Sequence, residues 1–169
     1  TYDIQYPEVI AIYLKGKPNP GVGPQDVALN IIKAVYNNGF VKNKVMEFIG
    51  EGINSLPIEY RNGIDVMTTE TTCWSSIWET DNKVKEYYET HYRPQDYGEL
   101  KAKSVALYDG LVEVDLSTIK PSIALPFHPS NVYTIEELKK NPKDIFALVE
   151  ENSKETFESN DIKVDMLSK

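Results

Sequence analysis

Only one cysteine, Cys73, occurs in the 169 residues. An internal disulfide is therefore excluded, and a reducing cytoplasmic setting is the default. One thiolate also cannot hold a structural zinc or an iron–sulfur cluster, since such sites take about three or four thiolate or imidazole ligands. The two histidines, His91 and His128, lie far apart and show no metal-ligand spacing. No apolar run approaches the length that spans a bilayer, and no basic segment leads into an apolar run at the start. Basic residues are also in short supply: 18 Lys and Arg face 26 Asp and Glu, for a net charge of −8. A nucleic-acid partner needs clustered cations, so neither nucleic acid nor membrane is expected as a partner. The chain begins at Thr1 and reads as a processed chain or an excised piece.

What remains is ordinary globular material: 41% hydrophobic and 26% charged residues, enough for a sizeable core in one domain or slightly more. "PEVIAIYLKG" is apolar on both faces and reads as a buried strand. After the turn-rich "KPNPGVG", Pro24 suits a first helical position and Asp26 sits near the amino end. Val27, Ile31 and Val35 recur every four residues on an amphipathic helix, with Gly39 as a stop. "KVMEFIG" is a second strand. Ser55 and Pro57 then announce a helix expected to run to about residue 72. "SSIWE" is a short strand, and "TDNKVKEYYETHY" a helix capped by Thr80 or Asp81. "GLVEVDLSTI" alternates as a half-exposed strand, with its acids on the outer face. "KPSIALPFHPSNV" reads as an extended crossing segment. Charged helices broken near Pro142 follow, and "NDIKVDMLSK" is a further strand candidate. Strands alternating with helices imply a three-layer α/β/α domain with a mostly parallel sheet.

The loop "PGVGPQD" is not a phosphate cradle, because Pro24 removes a donor and no Lys-Ser or Lys-Thr follows. Gly50 and Gly52 follow a strand without completing GxGxxG. They imply either a tight turn or a close backbone approach. Glu70 is the informative acid. It flanks the stripe of Tyr60, Ile64 and Met67, near a helix carboxyl end where a negative charge is disfavoured unless a cation or donor meets it. A solvated surface acid is the alternative. Cys73 reads as buried and inert.

"EVIAIYLKGKPNPGVGPQDVALNIIKAV", "MEFIGEGINSLPIEYRNGIDVMTTET" and "ALYDGLVEVDLSTIKPSIALPFHPSNV" resemble consecutive blocks of the aconitase superfamily, across roughly residues 8–133. The match is to the second, small α/β domain of the aconitase, isopropylmalate isomerase and homoaconitase type. The resemblance implies an aconitase-like domain over 1–133 and a helical connection over 134–169 towards a cluster-binding domain. It implies a lyase that reversibly dehydrates a hydroxy di- or tricarboxylic acid at a 4Fe-4S cluster, which this stretch does not itself hold. Its partners would be other domains of the same chain and a small carboxylic acid substrate. Glu70 matches the family's active-site acid. Val66, Thr68, Thr69, Gly50 and Gly52 would face substrate or cluster, and the stretch alone would be inactive. Three departures stand out. Val66 occupies the place of the family's usual Asn, Thr72 and Cys73 that of the usual Gly-Ala, and Thr68 and Thr69 replace small residues and add hydroxyls. They imply a divergent hydratase branch. A non-catalytic scaffold or binding domain that kept the fold is the alternative.

Overall fold

A computed structural model describes residues 3–158, the side chains of 155–158 excepted. The expected strand at "NDIKVDMLSK" lies outside the described residues. Four strands form one parallel sheet in the order β3-β2-β1-β4: β1 (Val9–Lys15), β2 (Val45–Ile49), β3 (Ser75–Trp78) and β4 (Gly110–Asp115). Helix α1 (Pro24–Val35) connects β1 to β2, α2 (Ile58–Asp65) leads from β2 towards β3, and α3 (Asn82–Thr90) follows β3. The mostly parallel α/β sheet expected from the alternating pattern is thus present.

The core lies between α1, α2 and one sheet face. In register, Ile10 stands beside Met46, and Ile12 beside Phe48, which stands beside Trp78. Ile10, Ile12, Leu14, Met46 and Phe48 are wholly buried against Val27, Ile31, Val35 and Ile64. Each such side chain contributes roughly 1.5–3 kcal/mol through burial. Phe48 and Trp78 stack with ring centroids 4.0 Å apart. The other sheet face is dressed differently. It carries Tyr13, Glu47, Ile49 and the exposed Leu111. The chain returns beneath it from Leu100, bonded to Thr80, to Asp109, bonded to Val9. Tyr108 lies on this return. Burial, and then the nearby Glu47 carboxylate, push its hydroxyl up to about 12.

Of the two caps expected for α3, Asp81 serves, accepting from the N–H groups of Lys83 and Val84. Local structure departs from the expected pattern in three places. Ser55 does not cap α2. Its hydroxyl donates to the carbonyl of Gly52 and closes a 3-10 turn (Glu51–Ser55), so α2 starts from Pro57 instead. "PSIALPFHPSNV" is not a single extended crossing. It folds back as an antiparallel hairpin of β5 (Ser122–Ala124) and β6 (Val132–Thr134), tied to α1 because Asp26 accepts from the N–H of Ser122 at 2.7 Å. Helices α4 (Ile135–Lys140) and α5 (Pro142–Glu158) follow, divided at Pro142 as expected.

The third departure concerns α2 itself. The α-helix stops at Asp65, well short of residue 72, and the chain tightens into a 3-10 turn at Thr68–Thr71. The Thr68 hydroxyl donates to the carbonyl of Asp65, and the Thr71 hydroxyl to that of Thr68. Such local bonds compete with the i→i−4 ladder and favour the narrower helix.

Gly50 has φ 103°, and a Cβ there would run into the carbonyl oxygen of Leu14. Gly50→Ala combines a forbidden dihedral with a backbone clash. It is expected to cost about 2–4 kcal/mol, read as a fall in denaturation midpoint with unchanged m-value.

Candidate active site

Glu70 sits on the 3-10 turn, and its side chain is exposed. Among the described residues no ion pair or side-chain hydrogen bond engages it. The turn beneath it is firmly placed. Thr68 and Thr71 are buried, Thr72 takes the left-handed conformation (φ 60°) that ends the turn, and its carbonyl accepts from the N–H of Asn43. Trp74 then donates its N–H to Lys44 and starts β3. These bonds set Glu70 beside the amino ends of β2 and β3.

The expected site residues divide on this geometry. Val66 is 70% exposed, and Thr69 is exposed, so both share the solvent-facing side of the turn with Glu70. Thr68 was expected to face substrate, and the structure corrects this: it is 7% exposed, with its hydroxyl 3.2 Å from that of Ser76. Its added polarity is spent inside the fold. Gly50 and Gly52 are corrected too. They lie at the carboxyl end of β2, the opposite sheet edge from Glu70, and their missing side chains make room for the β1 backbone at Leu14. Gly50 has the positive φ of a tight turn, and both glycines make a close approach, but to their own neighbouring strand rather than to a ligand or another domain.

Sequence reasoning missed two groups of residues. Arg61 is 3% exposed and binds the carbonyls of Ile53 and Leu56, the carbonyl of Glu79 at 3.5 Å, and the Asp81 carboxylate at 2.5 Å. It ties the loop after β2 to the start of α3. Burial raises the Asp81 carboxyl, but the Arg61 hydrogen bond and charge, with the N–H groups of Val84 and Lys83, outweigh it and hold it below the usual carboxylate value. The clue in the sequence was an arginine one residue after Tyr60 of the buried stripe. The second group is a shallow hollow lined by Pro7, Glu8, Lys42, Asn43, Lys44 and Trp74, next to the turn of Glu70 through the Asn43–Thr72 bond. Lys44 pairs with Glu8, while no partner engages Lys42 among the described residues. This gives a cationic spot on an acidic chain.

Cys73 is half-buried and directs its thiol to the carbonyl of Thr68 at 3.4 Å. Among the described residues no grouping of three or more His, Cys, Asp or Glu side chains could hold a metal ion. With one thiol, the donor set does not fit an iron–sulfur cluster held by this chain. Among the described residues no helix is long and apolar enough to cross a membrane.

The chain is of the parallel α/β class, with an unpaired acid displayed on a braced turn. Comparison with known families makes that class specific. The model of the aconitase family (aconitate hydratase) matches residues 1–167, and the chain belongs to this family. It is 31% identical over 134 residues to "3-isopropylmalate dehydratase large subunit 1" of Thermotoga maritima, covering 79% of this chain and 32% of that protein. It is 36% identical over 132 residues to the 3-isopropylmalate dehydratase large subunit of Acetivibrio thermocellus, covering 78% and 31%. With that of Clostridioides difficile the identity is 33% over 140 residues, covering 81% and 33%. The relatives are hydro-lyases, and the chain spans about a third of their length.

Arg61→Met strands the Asp81 carboxylate and is expected to cost about 3 kcal/mol, a fall of about 6–12 °C in melting temperature. Because the folded Asp81 carboxyl is depressed, its contribution is present above the unfolded value and is lost as pH falls through the folded one. Asp81→Asn should therefore flatten the acid limb of stability below about pH 4.

Proposed function

We propose that this chain supplies one wall and one acid of a hydro-lyase active site. The reaction is the reversible dehydration of a hydroxy di- or tricarboxylic acid, with the 3-isopropylmalate dehydratase relatives as chemical guide. The observation that carries this reading is Glu70: unpaired and exposed, yet mounted on a turn whose own polar groups are internally satisfied. A solvated surface acid needs no such mount.

In a dehydration, a base removes a proton from carbon and the hydroxyl departs as water. Departure requires a proton on the leaving oxygen. Glu70 in its acid form gives that proton, and as carboxylate takes one from water in the reverse direction. Lys42, on the same sheet edge, offers a charge for a substrate carboxylate. The remaining catalytic groups, and the 4Fe-4S cluster implied by the resemblance, belong to other domains or subunits of the full protein. This chain is inactive alone. The division at 133–134 into a catalytic α/β part and a helical connection is part of the same proposal, as is a cytoplasmic setting.

One observation favours a second reading, a scaffold that kept the fold. Val66 places an exposed isopropyl group on the same side as Glu70, where it cannot hydrogen-bond to a polar substrate.

In the full-length protein, Glu70→Gln should lower turnover by about 100-fold. Turnover near the unsubstituted value would favour the scaffold. Val66→Asn should shift the melting temperature by no more than about 2 °C, since exposed substitutions stay within about 0.5 kcal/mol. A larger fall would place Val66 in the core and remove it from the site.

A further inference from the structure

The turn under Glu70 is secured by one carboxylate that the reading above leaves without a role. Asp65 is the last residue of α2, and its Oδ1 accepts two bonds from β3: the Ser76 hydroxyl at 2.5 Å and the Trp78 indole N–H at 2.9 Å. The Ser76 hydroxyl also lies 3.2 Å from that of Thr68, which in turn donates to the carbonyl of Asp65. The Thr68 and Ser76 hydroxyls each donate to Asp65, one to its backbone carbonyl and the other to its carboxylate, so Asp65 joins the end of α2, the first residue of the 3-10 turn and the adjacent strand. The same strand places Trp78 against Phe48 in the core, so this junction is referenced to the rigid sheet.

This arrangement has a consequence for the acid. An eight-residue helix followed by a four-residue 3-10 turn has little rigidity of its own. Glu70 gains none from side-chain partners, so its place is fixed only through its backbone. That backbone is held on one side by Thr72–Asn43 and on the other by the bonds that Thr68 and Ser76 donate to Asp65. A proton-transferring group displaced by about 1 Å loses much of its effect.

We propose that Asp65, acting through Ser76 and Thr68, is the positioning residue for Glu70, an inference that rests on the role given to Glu70 above. Geometry rather than charge carries the function, because one oxygen takes both bonds. An amide oxygen in the same place would serve.

The test uses two-dimensional amide spectra of the 169-residue chain, in which the two tryptophans give two indole signals. In Asp65→Ala the Trp78 indole signal should move. In that variant and in Ser76→Ala, exchange of the Glu70 and Thr72 amides should quicken by about tenfold or more, while those of Ile12 and Phe48 stay unchanged. Asp65→Asn should restore both features. Unchanged exchange at Glu70 and Thr72 overturns the proposal, and so does an equal rise across the sheet strands. Should Asp65→Ala fail to fold, Ser76→Ala decides alone, since it only removes a hydroxyl. In the full-length protein, Asp65→Ala should lower kcat by about tenfold with KM within about twofold, and Asp65→Asn should recover it. An effect on exchange alongside a fully active Glu70→Gln protein would sink the function reading and keep the positioning. An inactive Glu70→Gln protein with unmoved exchange would do the reverse.

Discussion

One buried guanidinium organises the connections of this sheet. Arg61 cannot shed its charge, so burying it demands that its donors be met. The chain meets them with the carbonyls of Ile53, Leu56 and Glu79 and the carboxylate of Asp81. Those acceptors come from the loop after β2 and the junction of β3 with α3. Satisfying one side chain therefore fixes the course of two strand-to-helix connections, and with them the direction in which α2 sets out across the sheet. Gly50 and Gly52 serve the same end, letting the loop press against the backbone of Leu14.

At the far end of α2 the polar logic is reversed. Arg61 draws backbone carbonyls inward, whereas at Asp65 the side chains of Thr68 and Ser76 donate to one residue, terminating the helix and attaching a turn to β3. The result is a short exposed surface, with Val66, Thr69 and Glu70 on it, carried by a buried and internally bonded base. Inner polar residues hold the fold here, and the outer ones remain exposed. The chain spans about a third of the length of its dehydratase relatives.

Much of the fold was legible because burial imposes periodicity. The two-sided apolar run of β1 and the four-residue repeat of Val27, Ile31 and Val35 could satisfy only a central strand and an amphipathic helix. The break at Pro142 followed from a missing N–H. The end of α2 was not legible in this way. Tyr60, Ile64 and Met67 continue a helical stripe through the region where Thr68 and Thr71 divert the backbone into a 3-10 turn. Thr68 was read from the sequence as a cleft hydroxyl, and only the folded turn shows it donating inward to the carbonyl of Asp65.

By itself the sequence determined the parallel α/β class, which follows from local period, and it carried the resemblance that the family match bears out. Tertiary structure decided which polar residues are inside, that Gly50 and Gly52 lie at the opposite sheet edge from Glu70, and that Lys42 shares the acid's edge. The physical reason is that a parallel strand and its return helix separate residues near in sequence by the full depth of the sheet, while hydrogen bonds between strands unite residues such as Asn43 and Thr72 that no local pattern connects.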